Sequence, residues 1–214
     1  HARIDSPDSR SGTNAPSVRQ QIDTLLARTS FVDGDVMVLG GGIADVVAAV
    51  EATGISEAST RAVQEAGRAL AAQVRRVVQA GARHVVVTGV YNLGSTPWAR
   101  GMDREGDIER LSIAFNDALL VGIVDLWDNV LYLDSALFFN LIYNKPDNYP
   151  IDNAKDPVCT TPDANTCTPA TLRAGADYNR WMFADALYLT PAVQRLFMND
   201  DYVESGYRRF KDRW

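Results

Sequence analysis

The pattern of apolar positions divides the chain into alternating helices and strands. Apolar residues recur at helical spacing after Ser17, over 57–80 and over 105–124, which predicts three amphipathic helices. Runs that are apolar at almost every position, at 35–39, 84–90 and 130–134, predict strands buried on both faces, as in a parallel sheet. A short helix is predicted over 136–143, and a last helix is predicted to begin at Pro191.

This alternation predicts an α/β sandwich with a parallel sheet. A chain of 214 residues that is 46% hydrophobic and 22% charged has the composition of one globular domain, so residues 1–214 are predicted to form a single domain. Sheets of this kind bind ligands beyond the carboxyl ends of their strands, so the segments that follow the strands are where we look for function.

The charge of the chain narrows the choice of partners. The net charge is −6, and the sequence contains no long run of Lys or Arg, which argues against nucleic acid or an anionic membrane surface as a partner. The basic segment 207–214 is interpreted as the end of a terminal helix, where cations complement the helix dipole. No segment approaches the roughly 20 apolar residues of a membrane span.

The two cysteines lie in a loop rich in Pro, Thr, Asp and Asn. Cys159 and Cys167 are interpreted as a structural disulfide, which implies an oxidising compartment and a secreted or periplasmic protein. A zinc site is the competing interpretation, but no His stands nearby and the spacing is wider than in a zinc knuckle. The irregular stretch 145–179 around this loop is long enough to be functional or held in place by such a bond.

Three segments carry candidate chemistry. The first is Gly40-Gly41-Gly42-Ile43-Ala44-Asp45 after the first strand, which is not a dinucleotide fingerprint because Asp45 occupies the place of the third glycine. The second is the loop Tyr91-Asn92-Leu93-Gly94-Ser95-Thr96-Pro97-Trp98. The third is Asp185-Ala186-Leu187-Tyr188, which precedes the last helix.

Together these segments resemble the sequence blocks of the SGNH, or GDSL-type, ester hydrolases. The resemblance implies a flavodoxin-like, three-layer α/β/α fold, and it places Asp185 at the triad aspartate, Tyr188 at the triad histidine and Ala44 at the oxyanion-hole asparagine. It also implies substrate-binding roles in the first two segments, for Gly41, Gly42, Asp45, Tyr91, Leu93 and Trp98. For the second segment an equal alternative is a Gly/Pro turn with two anchoring aromatic residues.

Two of these positions depart from the family pattern. Ala44 cannot donate a hydrogen bond, and loss of one oxyanion donor costs about 100- to 1,000-fold in turnover. Tyr188 has a reference pKa of about 10, against about 6.5 for His, so it is a poor base near neutral pH. The remaining histidines are His1 at the terminus and His84 at a strand start, and His84 is interpreted as an ordinary surface residue.

The nucleophile block is not recognisable in this chain. The opening His1-Ala2-Arg3-Ile4 resembles the end of the family's second block, so the resemblance implies that the nucleophilic serine and the first strands lie upstream. Ser6 is a rival nucleophile, but it lacks the buried strand that would hold it at the sheet edge. We therefore expect an upstream segment or another chain to cover one edge of strand 35–39, and Ala44 and Asp185 to line one cleft.

The resemblance implies hydrolysis of a carboxylic ester or lipid by a Ser-His-Asp site, with the chain as given expected to be inactive. The alternative is a catalytically inactive pseudo-hydrolase that acts as an ester-, lipid- or glycan-binding module, and a purely structural role is a third possibility. The expected partner is a small-molecule ester or lipid. Neither a cofactor nor a metal is implied.

Overall fold

A computed structural model describes residues 2–7 and 15–199 of the chain. His1 and the predicted basic helix end at 207–214 lie outside these residues. The helices of the described chain are α1 (Val18–Arg28), α2 (Ile43–Thr53), α3 (Glu57–Gln79), α4 (Pro97–Arg100), α5 (Glu105–Ile123), α6 (Ser135–Asn144) and α7 (Pro191–Asn199). Its strands are β1 (Val36–Gly40), β2 (His84–Thr88), β3 (Val130–Leu133), β4 (Asn153–Pro157) and β5 (Trp181–Phe183).

The helix starts follow from side-chain capping. Ser17 Oγ accepts from the Gln20 backbone N–H at 3.2 Å, and the Gln20 side chain accepts from the Ser17 N–H at 2.9 Å, so that a capping box begins α1. α3 begins at a similar box and is followed by Gly81, whose φ of 104° suits a residue without a side chain. The helices predicted from periodicity are thus confirmed.

The first sheet has the strand order β1-β2-β3, and both pairs are parallel. In its register Val38 lies beside Val86, and Val86 beside Leu131. The central strand β2 is buried over Val85, Val86 and Val87. The predicted fold class, an α/β sandwich with a parallel sheet, is confirmed.

The predicted burial of the first strand is wrong. Val36 is 45% exposed and Val38 is 64% exposed, whereas Leu39 is buried. The reason is position in the sheet: among the described residues β1 pairs with β2 alone, so it is an edge strand. An apolar run indicates a strand, but it does not distinguish a central strand from an edge strand.

A second sheet and two helices, α2 and the short α4, were not predicted. β4 and β5 pair in parallel, in and just after the stretch 145–179 that the sequence presents as irregular. α2 begins directly after Gly42, in the segment interpreted as a loop. Gly42 has φ 113°, and a Cβ there would lie 2.3 Å from the Phe115 ring, so both its backbone and its neighbour require glycine.

The chain divides into two compact units. Of the described residues, unit 1 contains 2–7, 15–90 and 110–135, and unit 2 contains 91–109 and 136–199. The core of unit 2 is aromatic: the Phe139 ring stacks between Tyr91, at 5.1 Å, and Tyr143, at 5.7 Å. The assignment of 1–214 to a single domain stays a prediction. No described helix combines the length and the apolar character needed to cross a bilayer.

Candidate functional site

Asp185 organises a tight turn between β5 and α7, which we call the Asp185 turn (residues 185–188). Its side chain is 3% exposed. Oδ1 accepts hydrogen bonds from the backbone N–H groups of Leu187, at 2.8 Å, and Tyr188, at 2.7 Å. Oδ2 accepts from the Ala164 N–H at 2.9 Å. Both carboxylate oxygens are therefore occupied by main-chain donors, which fixes the conformation of the turn.

Two further contacts come from the loop after β2. The Tyr91 hydroxyl donates to the Leu187 carbonyl at 2.5 Å, and the Trp98 N–H donates to the Ala186 carbonyl at 2.7 Å. The hairpin itself is closed by the Ala184 N–H, which donates to the Tyr188 carbonyl at 2.8 Å. The Asp185 turn is thus the point where three segments of unit 2 meet.

Tyr91 is a buried residue of this site, with 8% of its surface exposed. Burial raises its pKa well above the usual value, and the charges of Tyr188 and Asp185 raise it further. The phenol is therefore a neutral hydrogen-bond donor across the physiological range. Its packing against Phe139 gives it a structural role, and direct contact with a substrate stays a prediction.

Tyr188 lies where the resemblance requires the triad histidine. It is partly buried, and it is close enough to Tyr91 to influence the pKa of that phenol. Within the described part of the chain, His84 is the single histidine, and it begins β2 in unit 1. Hence the described part of unit 2 contains no imidazole that Asp185 could orient.

The loop 91–98 is held rigid by its own side chains. Asn92 Oδ1 accepts from the Gly94 N–H at 3.1 Å, and Asn92 Nδ2 donates to Glu109 at 2.9 Å and to Asn140 at 3.2 Å. Leu93 is fully buried, whereas Trp98 is partly exposed. Of the three predicted contact residues in this loop, Trp98 therefore has the most surface available to a ligand.

The candidate residues after β1 have structural explanations within unit 1. Asp45 accepts from the Ile4 N–H, at 3.1 and 3.3 Å to its two oxygens, and so anchors the N-terminal segment. Burial raises the pKa of Asp45 to about 6, against the opposing effects of the Ile4 hydrogen bond and the Arg3 charge. Gly41 has the Ile4 side chain next to it, since a Cβ would lie 2.7 Å from Ile4 Cδ1. Ala44 is buried.

The structure therefore brings Asp185, Tyr188, Tyr91 and Trp98 together in unit 2. Ala44 and Asp45, with the glycines before them, belong to unit 1. The cleft shared by Ala44 and Asp185 stays a prediction, as does the role of Ser6, whose carbonyl accepts from the Arg3 N–H at 3.3 Å.

Cys159 and Cys167 form the predicted disulfide. The closed loop contains Ala164, whose N–H reaches Asp185, so the loop is tied to the Asp185 turn. Sequence reasoning missed Ala164 because a backbone donor leaves no signal in the residue type. Among the described residues no group of three or more His, Cys, Asp or Glu side chains is arranged to hold a metal ion.

Neither a scan against protein-family models nor a search of curated proteins gives a match for this chain.

Proposed function

We propose that this chain carries a pseudo-hydrolase domain of the SGNH type, which binds an ester- or acyl-bearing ligand at the Asp185 turn without turning it over. The observation that carries the proposal is the environment of Asp185. Its carboxylate is buried directly before α7, where the resemblance requires a triad aspartate, yet its hydrogen bonds go to backbone N–H groups and Tyr188 stands at the histidine position.

The physical case against turnover has two parts. Acyl transfer to a serine needs a base that is unprotonated near neutral pH, and the phenol at 188 has a reference pKa of about 10. The oxyanion that forms needs positioned donors, and the Ala44 side chain offers none. Binding does not need either group, and the partly exposed Trp98 indole beside the turn provides an apolar surface for an acyl chain.

Active hydrolysis is the second candidate function, and one observation favours it. A buried carboxylate, held in place by several hydrogen bonds on a turn before a helix, is also how a catalytic aspartate is positioned. In that case the chain would use a base and a nucleophile other than those in the family pattern.

The proposal is tested by measuring turnover and binding separately. We expect no release of nitrophenol from short-chain nitrophenyl esters above background. A non-hydrolysable nitrophenyl ether of the same chain length should bind, and Trp98→Ala should weaken its binding. Trp127→Ala removes another exposed indole, from unit 1, and serves as the matched control.

Three results would contradict the proposal. A burst of nitrophenol that disappears in Ser6→Ala would show catalysis by this chain and support the second function. Absence of both turnover and ether binding, or equal loss of binding in the two Trp variants, would remove the Asp185 turn as an ester-binding site.

The disulfide also bears on location. We propose that the protein is secreted or periplasmic, because such bonds persist in oxidising compartments and are rare in the cytosol. Alkylation of the protein in intact cells, followed by mass measurement, should find no free thiol, and a doubly alkylated species would contradict this location.

A further inference from the structure

Unit 2 contains an open cavity of about 440 Å³, a volume within the range of small-molecule sites. None of its lining residues belongs to the Asp185 turn or to the loop 91–98. The cavity is formed by the segment around Tyr149, the 178–180 turn and the first two turns of α7. Its lining residues are Asn148, Tyr149, Pro150, Asn179, Ala192, Arg195 and Leu196.

Arg195 is the cation of this cavity, and it has a neutral partner. Its Nη2 donates to Asn179 Oδ1 at 3.1 Å, and within the described part of the chain no carboxylate pairs with it. Arg180, one residue after Asn179, is different: its Nε and Nη2 donate to Asp152 at 2.6 and 2.5 Å. Arg180 is thus neutralised by an acid, whereas Arg195 keeps most of its five N–H donors available.

The other lining residues divide into polar and apolar groups. The Asn148 side chain, and the Nδ2 group of Asn179, make no hydrogen bond to any other described residue, so both amides are free to contact a ligand. Pro150, Ala192 and Leu196, with the Tyr149 ring, provide an apolar wall. A charged head group and a short apolar body would each find complementary surface here.

We propose that this cavity binds a small organic carboxylate. The planar guanidinium fork of Arg195 matches the two oxygens of a carboxylate, the free asparagine amides supply further donors, and the wall at Leu196 receives the apolar body. A phosphate ion would use the cation and the amides but leave that wall uncovered. The inference does not depend on the function proposed for the Asp185 turn.

The test uses titration calorimetry of the full chain with sodium benzoate, the neutral isostere benzamide and inorganic phosphate. Benzoate is expected to bind, benzamide to bind more weakly, and phosphate to bind more weakly than benzoate. Arg195→Gln should reduce benzoate affinity by about tenfold to hundredfold, the range of a charged hydrogen-bonded pair. Arg68→Gln removes an exposed helical arginine of unit 1 and is the matched control.

Retained benzoate affinity in Arg195→Gln would overturn the proposal, and so would equal loss in the two variants. Phosphate binding as tight as that of benzoate would show that the cavity is a simple anion site, and would overturn the proposal that its ligand is an organic carboxylate. Absence of benzoate binding to the wild-type chain at millimolar concentration would remove the site altogether. If both variants unfold at the same temperature as the wild-type chain, a loss of binding comes from the substituted side chain and not from loss of the fold.

Discussion

Asp185 and Tyr91 both stabilise the Asp185 turn, Asp185 as a hydrogen-bond acceptor and Tyr91 as a hydrogen-bond donor. Asp185 accepts from backbone N–H groups, and Tyr91 donates to a backbone carbonyl. Each is buried, so each would leave an unsatisfied main-chain group if it were removed. Their positions by themselves do not distinguish a catalytic site from a structural one.

Tyr91→Phe tests the structural part of this account. The change keeps the ring on Phe139 but leaves the Leu187 carbonyl without its donor, so we expect a loss of about 1–2 kcal/mol in unfolding free energy. Urea titration followed by fluorescence gives this value. Tyr178→Phe is the control, because the Tyr178 hydroxyl makes no hydrogen bond to the rest of the described chain, and it should change stability by less than about 0.5 kcal/mol. Equal effects in the two variants would show that the bond to Leu187 contributes nothing.

Among the helices and strands, the sequence predicts those whose formation depends on their own pattern of side chains. α3 has a long apolar stripe and a capping box, and β2 has three consecutive valines, so both were predictable. β4 was not, because Asn-Ala-Lys-Asp-Pro has no apolar alternation and pairs only because the fold brings β5 beside it. In the candidate site, Asp185 and Tyr188 were named from the resemblance to a sequence block of the SGNH hydrolases, whereas the Ala164 donor depends on how a distant loop folds.

The edge of β1 that no described residue pairs with predicts association. Backbone N–H and C=O groups without a described partner strand, beside exposed valines, are a template for another strand. We expect the isolated chain to self-associate in sedimentation velocity as its concentration rises, and Val38→Lys to shift it toward monomer because a charge on an edge strand blocks pairing. Val121→Lys, at an exposed valine on α5, is the matched control. Association that is unchanged in Val38→Lys, or equally reduced in both variants, would show that β1 is not the contact.

For the molecule as a whole, Asp45 makes stability depend on pH. Its pKa is about 6 in the fold against 3.8 for the ordinary carboxyl, because burial opposes ionisation. The folded state therefore binds the proton more tightly than the unfolded chain does. The contribution of the Asp45 carboxyl to the free energy of unfolding is fully present below pH 3.8 and is lost as the pH rises through about 6.

Asp45→Asn keeps an acceptor for the Ile4 N–H and removes the ionisation. A shift of roughly 2 pKa units corresponds to about 3 kcal/mol, so the Asn variant should gain up to that amount over wild type between about pH 4 and about pH 7. Chemical denaturation across this pH range measures the difference. Asp117→Asn, on the exposed face of α5, is the matched control. A constant difference between Asp45→Asn and wild type at all pH values would contradict the role of Asp45.

The contacts of the Asp185 turn also have a consequence for the order of events during synthesis. Tyr91 and Leu187 are 96 positions apart, whereas Ala164 and Asp185 are separated by 21. The Tyr91–Leu187 contact closes a long segment of chain, and the entropic cost of closing it comes before any gain from the contact. This contact therefore forms only after most of the chain has been synthesised. Until the ribosome has added Leu187, the carbonyl that accepts the hydrogen bond of the Tyr91 hydroxyl does not yet exist. The turn on which the proposed function depends is therefore among the last parts of unit 2 to be built.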